Sequence, residues 1–236
     1  VASLPQSLTR WYWDKEHTGN QKGIFFMSFA TQVVTAVVLC SLLVPLSGRI
    51  SEIIFSGKTD WEDLITLVIL ASGGQALNNI VNTLMRLQSR SVLYTVMNLL
   101  KLTIVFILTL YFIIYGKMGL NGIYLAQLIG NILFLLVLAG YIKKNCIIYF
   151  NKKTFYEMNV FGFPLFLANI SAVILNVIDR YSLNSLALLS FVAIYTLAFK
   201  VTSVLKLVIA DSIKLAIAPM MIKKISSPDN QRFYSK

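Results

Sequence analysis

Apolar residues along this chain gather into runs of about twenty, the length a helix needs to cross roughly 30 Å of hydrocarbon, and short polar stretches separate the runs. The first run extends from Ile24 to Leu46 and meets Pro45 and a polar loop from Ser47 to Asp63, which holds Gly48, Gly57 and four acids. The second, Leu64 to Leu84, carries Gly73, Gly74, Gln75, Asn78, Asn79 and Asn82, too polar a set for a lipid-facing helix, and so predicts a span packed inside a bundle. The third and fourth, Val92 to Tyr115 and Leu120 to Ile142, are separated only by Gly116-Lys117-Met118-Gly119 and predict a transmembrane helical hairpin. A fifth run, Val160 to Ile178, contains Pro164 and stops at Asp179-Arg180; Pro164 predicts a bend. The sixth begins near Leu186 and extends to about Met221, with its end predicted to tilt, to kink near Pro219 or to enter the interface. The pattern predicts an all-α polytopic bundle of about six spans. Barrel strands are excluded, because they would alternate apolar and polar residues over about ten positions.

An even number of spans puts both ends on one side. Outside the spans that side holds thirteen Lys and Arg, among them Arg10, Arg86, Arg90, Lys143, Lys144, Lys152 and Lys153, whereas the other holds four: Arg49, Lys58, Lys117 and Arg180. The positive-inside rule then makes both ends cytoplasmic, and Trp11, Trp13 and Trp61 fall just outside spans, where interfacial tryptophans belong. The composition agrees: of 236 residues 57% are hydrophobic and 13% charged, with a mean hydropathy of +0.72. The net charge of +11 does not indicate nucleic acid, since the basic residues lie in short inter-span clusters. The first segment, Val1 to Lys22, lacks the regions of a signal peptide, and a chain opening on valine is expected to be part of a longer one.

Catalytic chemistry finds little to work with. The single histidine, His17, lies between polar loop residues, Cys40 and Cys146 have no metal-type spacing, and no nucleotide-binding or zinc-hydrolase motif occurs. The sequence therefore predicts no enzyme, no cofactor and no metal. What stands out is charge inside the membrane. Lys101 lies mid-way along the third span, and Lys200 and Lys206 lie in the sixth, each costing ~2.5–3.5 kcal/mol to insert on translocon scales. Lys101 and, less strongly, Lys200 are candidates to line a polar cavity, with snorkelling or structural pairing as the alternative. Asp211 and Lys214 are spaced for a local ion pair. Gly122, Ala126 and Gly130 recur every four residues and predict close helix packing.

Several segments in order resemble one family: Arg10-Trp11-Tyr12; Gly119-Leu120-Asn121-Gly122-Ile123 with Ala126; Phe161-Gly162-Phe163-Pro164-Leu165; Asp179-Arg180-Tyr181; and Ala193-Ile194-Tyr195-Thr196-Leu197-Ala198-Phe199-Lys200. Together they resemble the polysaccharide-transporter branch of the multidrug/oligosaccharidyl-lipid/polysaccharide exporter superfamily, the O-antigen and capsule repeat-unit flippases of bacteria. Ala193 stands where the family often has glycine, and the six spans compare with twelve or more in two lobes. The resemblance implies that residues 1–142 are four helices of an N-terminal lobe, 143–159 a cytoplasmic inter-lobe loop, and 160–236 the start of a C-terminal lobe. It implies a place in the bacterial inner membrane and a function of moving an undecaprenyl-pyrophosphate-linked oligosaccharide between leaflets by alternating access, with a possible coupling cation. Partners would be the polyprenyl-pyrophosphate-linked oligosaccharide and the lipid bilayer, with no nucleic acid.

In that reading Lys101 and Lys200 would meet the anionic head group. Asn78, Asn79, Asn98, Asn131 and Asn169 would offer amides to sugars, interhelical hydrogen bonding being the more ordinary use of each. A drug or small-molecule antiporter of the same superfamily would share the fold, but no Asp or Glu lies mid-span to serve one. A membrane-embedded glycan polymerase or ligase would need a large external loop, and the loops here are short.

Overall fold

The computed structural model describes residues 3–13, 19–54, 61–186, 189–213 and 217. Its elements are helices: α1 (Leu4–Tyr12), α2 (Gln21–Leu43), α3 (Ser47–Ile54), α4 (Glu62–Leu87), α5 (Ser91–Ile114), α6 (Leu120–Val137), α7 (Ala139–Lys144), α8 (Lys152–Leu186) and α9 (Leu189–Lys206), with no strand among the described residues. Five helical segments are long and apolar enough to cross a membrane: Gln21–Ile53, Glu62–Leu87, Ser91–Ile114, Leu120–Val137 and Lys152–Leu175. The sixth expected span corresponds to α9 and a π turn, Leu207–Asp211. Its expected end near Met221, the kink at Pro219, the Asp211/Lys214 pair and His17 lie outside what is described.

Amide-rich α4 is the central helix. It packs against α1, α2, α3, α5 and α6, as its polar face predicts. The α5/α6 hairpin is as expected, and its turn depends on Gly119, whose φ of +54° with ψ of −128° is a conformation open to glycine and costly for other residues. Gly122, Ala126 and Gly130 are buried on α6. A Cβ on Gly122 would lie 2.8 Å from Phe112 Cβ, and one on Gly130 would collide with Val105. The small residues therefore set how closely α6 approaches α5.

The expectations for Trp11, the stretch from Ser47, residues 143–159 and the stop at Asp179-Arg180 need correction. The segment before Lys22, to which the sequence pattern assigns no element, holds α1: Leu4, Leu8 and Trp11 recur at helical spacing, and with Tyr12 they pack onto Ile24 and Phe25 of α2, Ile80 and Leu84 of α4 and Met158 of α8. Trp11 is accordingly a core residue at 7% exposure rather than an interfacial anchor, set edge-on to Phe161 at 5.4 Å between ring centres. The stretch from Ser47 is not all loop. Pro45 opens a 3₁₀ turn, Val44–Leu46, where its missing N–H costs nothing, and the chain continues as α3, with Ser47 Oγ donating to Glu62 Oε1 at 3.4 Å.

The region expected to be a loop at 143–159 holds the end of α7 and the first turns of α8. Asn151 starts α8 by accepting the N–H groups of Lys153 and Thr154 at 3.0 and 3.3 Å. At its other end α8 continues through Asp179-Arg180 to Leu186, without the break expected there, and Pro164 lies inside it. Its 35 residues span about 52 Å at ~1.5 Å each, more than the hydrocarbon needs.

Candidate functional site

Lys101 lies ten residues into α5, about 15 Å along the helix. Its Nζ donates to Gln75 Oε1 of α4 at 2.7 Å and stands 5.5 Å from the centre of the Phe134 ring of α6. The ammonium is thus held by a neutral oxygen and an aromatic face. The one ion pair among the described residues is elsewhere, Lys153 with Glu157 at 4.0 Å on the surface of α8. Around Lys101 opens a cleft of about 550 Å³ between α4, α5 and α6, lined also by Asn98, Thr109 and Gln127 and by apolar Leu102, Val105 and Phe106.

Asn98, which shares this cleft, also forms a reciprocal amide pair with Asn82 of α4, at 3.0 and 3.2 Å. Asn78 is fully buried and donates to Asn131 Oδ1 at 2.9 Å, while Asn131 donates to the Ala71 carbonyl at 2.8 Å. These amides join α4 to α5 and α6, and Asn78 does not line the Lys101 cleft. Asn169 of α8 lies in a second cleft, where it donates to Ser3 Oγ at 3.0 Å. Lys200 is exposed on α9, which packs against α8; no described contact joins it to Lys101.

Two residues that the chain alone does not single out complete the arrangement. Gln75, legible as one polar position among several in its span, fixes Lys101 and passes a hydrogen bond of 3.3 Å to Asn79, which lines the second cleft. Gln32 of α2 is 1% exposed and lines that same cleft. Its one sequence signal is a primary amide alone in an apolar run, a position that needs a partner within hydrocarbon.

No group of three or more metal-ligating side chains occurs among the described residues. Long apolar helices around a central polar one, with a cation and amides at mid-span depth, define a multi-pass α-helical membrane protein. The family described as polysaccharide biosynthesis protein matches residues 5–224, and the chain belongs to that family. The match agrees with the polysaccharide-transporter branch that its motifs resemble. Neither a curated protein nor a solved structure matches the chain significantly.

Proposed function

We propose that the chain forms part of the pathway by which a polyprenyl-pyrophosphate-linked oligosaccharide crosses the bacterial inner membrane by alternating access, and that Lys101 receives the pyrophosphate. The observation that carries the reading is the bonding of Lys101. A cation inserted at a cost of ~2.5–3.5 kcal/mol is held by one neutral oxygen beside an open cleft, which leaves its remaining donors available to an anion. A pyrophosphate oxygen forms a charge-assisted hydrogen bond with an ammonium, about twice the strength of a neutral one, and offsets that cost while the head group is bound. The apolar walls of the cleft suit a polyprenyl chain, and Asn98, Thr109 and Gln127 supply neutral contacts. Membership of a polysaccharide biosynthesis family supports the lipid-linked sugar as cargo.

The test exchanges charge while sparing fold. Lys101→Arg should retain partial export of surface polysaccharide and Lys101→Gln should lose it, with both proteins accumulating in the membrane at normal levels. Wild-type export by Lys101→Gln, or a defect explained wholly by lost protein, contradicts the assignment.

A further inference from the structure

The second cleft borders α4 one turn on from Gln75, where Ser3 and Gln6 at the start of the chain meet Gln32 of α2, Asn79 of α4, and Phe166 and Asn169 of α8; its volume is about 390 Å³. No charged side chain lines it among the described residues, in contrast to the Lys101 cleft. Gln32 is the unusual member. It is 1% exposed, yet its Nε2 has no hydrogen-bond partner among the described residues. It stands eleven residues into α2, about 16 Å along the helix. A buried amide donor without a partner is destabilising, and one beside a cleft can be satisfied by a group that enters it.

We infer that this cleft is a glycan subsite, in which Gln32 donates to a sugar hydroxyl of the same cargo whose head group meets Lys101. The inference rests on the proposed function for the identity of the cargo. Neutral amides match sugar hydroxyls, which both donate and accept, and give an anion no charge to bind. Phe166 offers an aromatic surface to the apolar face of a sugar ring, and the volume lies within the usual range of small-molecule sites. The two clefts are in hydrogen-bonded contact: Lys101 donates to Gln75 and Gln75 Nε2 donates to Asn79 one turn on, so one ladder along a face of α4 joins the cation to the glycan cleft.

The experiment measures binding by the full chain in lipid nanodiscs to two probes: undecaprenyl pyrophosphate without sugar, and the lipid-linked oligosaccharide that accumulates in cells when export is blocked. Gln32→Leu should weaken the glycosylated probe about three- to tenfold, the loss of one neutral hydrogen bond, leave the sugar-free probe unchanged, and leave the Tm equal or raised, since it removes an unpartnered buried donor. Asn169→Leu should show the same selectivity. Equal binding of the glycosylated probe by wild type and Gln32→Leu overturns the glycan subsite, as does a parallel loss of both probes with a lowered Tm. Lys101→Gln separates the two claims: it should weaken both probes, and if it weakens neither, the head-group assignment fails while the selectivity of Gln32→Leu still decides the cleft.

Discussion

Asn131 shows how a single side chain ties the bundle together. Its amide accepts from Asn78 and donates to the Ala71 carbonyl, so Asn131→Ala leaves a buried donor and a backbone acceptor without their partner. Interhelical hydrogen bonds in membranes average about 0.6 and reach about 1.7 kcal/mol; Asn131→Ala should lie toward the upper figure, measured as a loss of unfolding free energy in detergent, and Asn131→Asp should not restore it because a carboxylate cannot donate. An unchanged stability would mean that α4 and α6 are held by shape alone. The sequence marks Lys101 by depth and charge, and marks the asparagines by polarity within apolar runs. It does not reveal which amide faces which, because pairs such as Asn78 with Asn131 and Asn82 with Asn98 bring together residues from different spans. Gln32 escaped notice for the same reason: its environment is made by α1 and α8, distant in sequence.

The elements that periodicity exposes are the long ones. The α5/α6 hairpin and its small-residue seam are legible because a glycine-rich turn and a four-residue repeat are local signals. Gly130→Leu should force α6 away from Val105 of α5, an overpacking cost of about 1–3 kcal/mol seen as a lower Tm, whereas Gly140→Leu, in open space, should be silent. Equal effects at the two glycines would remove the seam as the reason for the spacing. Helix α1 is harder to read, since its nine residues are too few for a span and its apolar stripe acquires meaning only against α2, α4 and α8. The start of α8 depends on a cap. Asn151→Ala should destabilise it by about 1 kcal/mol, while Asn151→Asp, which keeps the acceptor, should be close to neutral; hydrogen exchange of the first α8 turn distinguishes the two.

At the scale of the whole molecule, the charge distribution predicts orientation. Single cysteines at Ser56 and Asn184 should react with a membrane-impermeant thiol reagent in intact cells, and one at Lys153 should not; labelling of position 153 from outside would reverse the topology. In the proposed pathway the same topology takes cargo past Lys101 and Gln32, which line the two clefts that border α4. The central claim is that the pyrophosphate head group of a lipid-linked glycan meets Lys101 in its cleft. A photoreactive amino acid at Leu102, which lines the cleft without bonding Lys101, tests it most directly in cells making the polysaccharide. Irradiation should yield an adduct whose mass includes the polyprenyl-pyrophosphate oligosaccharide, and Lys101→Gln should diminish it severalfold. An export-competent protein that captures only phospholipid at position 102, or captures the glycan lipid equally well without the Lys101 charge, would contradict the account.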